Sequence, residues 1–166
     1  MFEGENRMIE EVKDKNVVNL DLSETARTKI WINGDPSRVL ELNLTDMGVM
    51  GRLQDAYPKL DELTAEVKNL ASAEDISDED VVATFKKIDQ QMRDIVDSIF
   101  DFKVCDVCCD GGSMYDPIGG QLRFEYIIDK ISKLYESSLN EEFKRMQAKV
   151  KTHTAKYTKS STKKRK

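Results

Sequence analysis

The stretch VVATFKKIDQQMRDIVDSIF, Val81 to Phe100, decides the fold. Val81, Phe85, Ile88, Met92, Ile95 and Ile99 advance by alternating steps of four and three residues. That spacing draws one apolar line along an α-helix. The seam is too short for a free-standing coiled coil, so it predicts one arm of a helical hairpin packed on a neighbouring helix. The neighbour lies just upstream. Met50, Leu53, Tyr57, Leu60, Leu63, Val67 and Leu70 recur at three- and four-residue steps, with Thr45 or Asp46 placed to cap the helix. Pro58 falls inside that stripe and predicts a kink or a restart there. The connector ASAEDISDED, Ala71 to Asp80, is short enough to make the two helices antiparallel, and Ser77 with Asp80 reads as a capping pair.

Further upstream, ARTKIWINGDPSRVLELNL (Ala26 to Leu44) reads as two strands joined by the turn residues of NGDPS. Before it, NVVNLDL (Asn16 to Leu22) is a small apolar cluster in a polar arm, a short strand or an ordered arm. Downstream of the seam, Phe124, Ile127, Ile128, Ile131, Leu134, Tyr135 and Leu139 predict a further helix, its stripe extended by Phe143, Met146 and Val150, with Asn140 as a candidate break. The expected fold class is therefore mostly α (α+β): an N-terminal β-hairpin, an antiparallel helical hairpin and a long C-terminal helix. The expected organisation is a weakly ordered arm over 1–25, one helical domain over 26–150 and a basic, disordered tail over 151–166.

Composition agrees with a helical protein that carries long solvated faces. Hydrophobic residues make up 39% of the 166 and charged residues 34%, with only three prolines and eight glycines. The net charge of −5 conceals a division: residues 1–143 hold 16 basic and 31 acidic groups, and residues 144–166 hold ten basic groups and no acid. An acidic body with a basic end invites self-association or an acidic partner. Nucleic-acid binding is disfavoured by that acidic body and by the single aromatic, Tyr157, in the basic tail. No apolar run is long enough for a membrane span, and MFEGENRMIEEVKDK lacks the apolar core of a signal peptide, so a cytosolic protein with reduced thiols is expected.

All three cysteines lie in VCDVCCDGGSMYDPIGG, Val104 to Gly120. Cys105 and Cys108 form a C-x-x-C, with Cys109 adjacent and Asp106 or Asp110 as possible companions. A structural zinc site commonly needs a second such pair, and the one histidine, His153, sits on the basic tail. A redox C-x-x-C belongs at a helix N-terminus after a strand, whereas these cysteines follow an apolar helix and have acidic neighbours that raise thiol pKa values. They read first as small hydrophobes at a helix end, with a metal- or thiol-dependent binding module as the alternative. In GSMYDPIGG the glycines make turns, Asp116-Pro117 stops a helix, and Met114 and Tyr115 anchor the joint or meet a partner. No hydrolase or nucleotide-binding signature is present, so no catalytic residue, no cofactor and no enzymatic activity is expected.

The order of a strand hairpin, VLELNLTDMGVMGRLQDAYPKLDEL, an acidic connector, DQQMRDIVDSIFD, GSMYDPIGGQLRFEYIIDKISKLYESSLNEEFKRM and KTHTAKYT resembles tail assembly chaperones. These are small proteins of long-tailed bacteriophages and of prophages in Gram-positive hosts. The resemblance runs from about Thr28 to Thr158. It implies a non-enzymatic protein of the host cytoplasm that binds the helical tape measure protein, helps recruit tail tube subunits and is absent from the finished virion. It also raises a longer frameshifted product, for which Lys163-Lys164 marks a candidate slippery codon run. A tail component retained in the virion is the alternative. The candidate partner contacts are Met114, Tyr115, Asp116, Pro117, Lys163, Lys164 and Arg165, with Met47, Met50, Met92 and Met146 as further adaptable surface. A homo-oligomer is expected from the pairing of acidic body with basic tail.

Overall fold

The computed structural model describes residues 16–23, 27–75 and 77–162. Strands β1 (Thr28–Ile32) and β2 (Asp35–Leu42) form an antiparallel hairpin, followed by helices α1 (Gly48–Ala71) and α2 (Asp78–Phe100). A one-turn helix α3 (Val104–Cys108) and a two-residue-per-strand hairpin, β3 (Pro117–Ile118) with β4 (Gln121–Leu122), lead into α4 (Arg123–Thr162). The protein is mostly α with an N-terminal hairpin and a long C-terminal helix, as the periodicity predicts. Among the described residues, no helix is long and apolar enough to cross a membrane. Asn16–Ser23 forms no strand, and Val17, Val18 and Leu20 are exposed.

The turn of the first hairpin is only Asn33-Gly34. Both residues have positive φ, 54° and 73°, the left-handed geometry of a two-residue turn whose twist matches the strands. Pairing then jumps from Trp31↔Val39 to Ile32↔Asp35, so Pro36, Ser37 and Arg38 bulge from β2. Pro36 has no N–H to give a ladder and fits such a bulge. Leu40 and Leu42 are fully buried, Ile30 and Ile32 half-buried, and Trp31 faces outward.

Asp46 acts as the start signal for α1, its Oδ1 accepting the Gly48 N–H at 2.8 Å while Oδ2 holds Arg52 at 2.5 Å. The Arg52 bond holds the Asp46 carboxyl below the usual range. Arg52 also donates to the Ile99 carbonyl at 2.7 Å, which sets the start of α1 against the end of α2 and makes the pair antiparallel. Pro58 lies within α1 without ending it. The buried line of α1 differs from the expected one by a single position at two places. Val49 and Ala56 are buried and Met50 and Tyr57 exposed, so the seam is Val49, Leu53, Ala56, Leu60, Leu63, Val67 and Leu70. Both stripes satisfy helical spacing. The small Ala56 allows close approach of the neighbouring elements where Tyr57 would hold them apart.

Helix α2 begins at Ser77, whose Oγ accepts the Asp80 N–H, with Asp78, Glu79 and Asp80 in the first turn where the helix dipole favours acids. Ile88, Met92 and Ile99 of the seam are buried, and Val96 and Phe100 join them because α2 is covered on a second side by α3 and α4. Helix α4 is continuous through Asn140 and runs to Thr162, some twelve residues past the expected boundary at Val150. Residues 151–162 contain no glycine or proline, so helix is locally permitted; with no apolar line, periodicity could not reveal it. The core gathers Leu40 and Leu42, the α1–α2 seam, Val104, Cys105, Met114 and the first turns of α4. Among the described residues no polar or charged residue is fully buried.

Candidate functional site

The joint between α2 and α4 is pinned by three residues of α2 at i, i+4 and i+8. Asp89 Oδ1 accepts the Met114 N–H at 2.6 Å, and Oδ2 accepts from Arg93 Nε at 2.8 Å. Arg93 in turn donates to the Gly112 carbonyl at 2.6 Å, and Asp97 Oδ1 accepts the Cys105 N–H at 2.9 Å. A helix spaces these groups about 6 Å apart along one face, so one polar line satisfies both ends of the joint. The loop closes on itself through Asp116. Its carboxylate accepts the Ser113 N–H at 2.8 Å and faces Arg123 at 3.5 Å, while its carbonyl accepts the Arg123 N–H at 2.8 Å. A Cβ at Gly112 would overlap the Arg123 guanidinium, so a side chain there would push Arg123 from its place beside Asp116.

This geometry redistributes the expected contact residues. Met114 is fully buried and its carbonyl accepts the Phe124 N–H at 3.0 Å, so it anchors the loop and has no exposed surface for a partner. Tyr115 packs on Phe85 with ring centroids 5.6 Å apart, and Asp116 is engaged with Arg123. Pro117 is exposed at the start of β3. Lys163, Lys164 and Arg165 lie outside the described residues.

The cysteines occupy three different environments. Cys105 is buried with its thiol 3.8 Å from the Arg93 carbonyl; hydrogen bonding with Cys109, burial and nearby Asp97 push its pKa up. Burial pushes the Cys108 thiol up to about 11. Cys109 departs from the expectation that acidic neighbours raise thiol pKa values. The Cys105 thiol and then the positive charges of Arg93 and Arg123 bring it down to about 7, and its sulfur sits 3.6 Å from that of Met114. Among the described residues, no three Cys, His, Asp or Glu side chains are gathered as a set of metal donors. Iodoacetamide near neutral pH is therefore expected to alkylate Cys109 first, with a rate that rises through about pH 7, and buried Cys105 last. Peptide mass spectrometry reads the order; Cys108 reacting first would contradict it.

A concave apolar surface lies beside this joint. A groove of about 400 Å³ runs between β1 and α4. Leu40, Ile127 and Ile131 form its floor, Trp31, Tyr126 and Leu134 stand on its walls, and Cys108, Ile118 and Arg123 line it from the joint. Trp31 is 59% exposed, a large apolar surface to leave in water. Lys130 lies over the Tyr126 ring at 5.4 Å, and Arg123 Nε is buried with no acceptor among the described residues. Sequence reading missed both the groove and the Asp89–Arg93–Asp97 line. The latter carried a signal in the spacing D-x-x-x-R-x-x-x-D beside the apolar seam; the groove carried none, because its walls come from strands and a helix far apart in the chain. No protein-family model, curated protein or solved structure matches this chain.

Proposed function

We propose that this protein is a non-enzymatic tail assembly chaperone of a long-tailed phage or prophage. In this reading it works in the host cytoplasm, holds a long helical partner of the tape measure type, helps recruit tail tube subunits and is left out of the finished virion. The observation that carries the reading is the groove between β1 and α4: apolar on its floor, aromatic on its walls and open to solvent. An amphipathic helix can lay its apolar face there, with Lys130 available to polar or acidic groups along its edge. The pattern of hairpin, helical pair and GSMYDPIGGQLRFEYIIDKISKLYESSL, which resembles that chaperone family, supports the same conclusion.

The test is co-expression with the tape measure protein followed by affinity capture. Trp31→Ala is expected to leave the fold intact, because the ring is exposed, and to weaken capture by about 2 kcal/mol, or roughly thirtyfold in Kd. Unchanged capture by the Trp31→Ala variant would overturn the groove as the contact. Stoichiometric protein in purified virions would instead favour a tail component.

A further inference from the structure

We infer that the second half of α4, residues 139–162, docks on the acidic end of the α1–α2 pair of a second copy, joining copies head to tail. The helix supplies the first surface. Leu139, Phe143, Met146 and Val150 continue the face that is buried earlier in α4 at Phe124, Ile128, Ile131 and Tyr135. Leu139 is half-buried, and beyond it the stripe is open among the described residues: Phe143, Met146 and Val150 are 43%, 58% and 65% exposed. Lys144, Arg145, Lys149, Lys151 and Lys156 take up the rest of the circumference, with no acidic residue after Glu142. Among the described residues, Lys144, Lys149, Lys151 and Lys156 make no ion pair, and Arg145 pairs only with Glu142. Two such helices side by side would set cation against cation, which disfavours pairing of this helix with itself.

The complementary surface lies at the other end of the same molecule. Between Asp61 and Asp80 there are eight acidic residues and one basic, Lys68. No described residue forms an ion pair with Glu66, Glu74, Asp75, Asp78 or Glu79. This acidic end also has apolar ledges. Val82, 52% exposed, lies with Ala83 in a shallow groove lined by Asp78 and Glu79, with one base, Lys86, also on its lining, and Leu70 with Ala73 lies in another beside Glu66. An apolar strip flanked by acids is what a basic amphipathic helix requires.

The contact must be made between copies. Phe124 at the start of α4 hangs on Met114, which hangs on Asp89 in the middle of α2, and Tyr135 stacks on Phe100 at 5.9 Å at its end. Helix α4 therefore runs parallel to α2 and leaves the body past Phe100, opposite to the Ser77 end. A straight helix of 24 residues projects about 36 Å in that direction and cannot return to the acidic end of its own chain. Each copy then has one helix to give and one acidic end to receive, a heterologous contact that propagates.

Sedimentation velocity on the full chain tests this, with two variants at exposed positions: Phe143→Asp/Met146→Asp on the helix and Glu74→Lys/Glu79→Lys on the acidic end. Circular dichroism confirms that both fold. The wild-type chain is expected to associate with concentration, with Kd rising about tenfold or more from low to high salt. Each variant alone is expected to be monomeric, and their equimolar mixture to form a 1:1 dimer that grows no further, since it holds one intact helix and one intact acidic end. The inference is overturned if the wild type is monomeric throughout, if the acidic-end variant associates as the wild type does, or if the mixture stays monomeric. Vesicles of anionic lipid provide the last arm: binding lost in the helix variant while its self-association persists would assign the helix to a membrane surface and overturn the inference.

Discussion

Replacing Met114 by alanine is expected to destabilise the protein by about 2–5 kcal/mol, the largest effect of any change in the joint. Met114 has no exposed surface, and its thioether fills the space between Cys109 and the start of α4. Alanine removes the buried thioether and leaves a cavity that the surrounding helices cannot close. Its backbone N–H and carbonyl hold it to Asp89 and Phe124, so the chain cannot slide to fill the gap. Urea titration followed by circular dichroism reads the loss as a lower midpoint with little change in slope. A thermal midpoint lower by about 5–15 °C is the corresponding result. A change below about 1 kcal/mol would show that the joint is not an integral part of the core.

Asp89→Ala is expected to cost about 2–4 kcal/mol, although it removes little apolar surface. Its two carboxylate oxygens serve different partners, the Met114 N–H at 2.6 Å and Arg93 Nε at 2.8 Å, and both sides of the ion pair are about four-fifths buried. Truncation leaves a part-buried guanidinium and a backbone donor without acceptors, and Arg93 in turn loses the support that aims it at the Gly112 carbonyl. Asp89→Asn keeps an acceptor for Met114 but presents an amide where Arg93 needs a carboxylate, so its cost falls between wild type and alanine. The double variant Asp89→Ala/Met114→Ala should lose less than the sum of the two singles, because both act on one anchor. Strict additivity in urea titrations would contradict a shared anchor.

Several local features were legible from single stretches of chain. NGDPS marked the turn between the strands, and the structure confines that turn to Asn33-Gly34, both at positive φ, with Asp35 already in β2. Ser77 and Asp80 marked the start of α2 because the cap bond spans only three residues. The seam of α2 identified a helix with a buried face before any partner was known. Other features were legible in kind and not in detail. Helical spacing admits Met50 and Tyr57 as readily as Val49 and Ala56, and only the approach of the neighbouring elements decides between adjacent positions. The helix over 151–162 gave no periodic signal because its sequence carries no apolar line.

What the sequence by itself determined, then, are properties that repeat over three or four residues: the turn, the caps, the helices and the division of charge between body and C-terminal end. What only the tertiary structure decided are the properties that need residues distant in the chain. Cys109 is lowered to about 7 first by its bond with the Cys105 thiol, four residues back, and then because folding brings Arg93 and Arg123 to it, although its sequence neighbour Asp110 suggests the reverse. The groove exists because Trp31 of β1 and Tyr126 and Leu134 of α4 face one another across some hundred residues of chain. The stripe on α4 is buried up to Tyr135 and bare from Phe143 because the body ends there. Local geometry repeats along the chain and so leaves a period to read; burial, electrostatic neighbours and concavity are set by which elements meet, and no spacing within one segment records that.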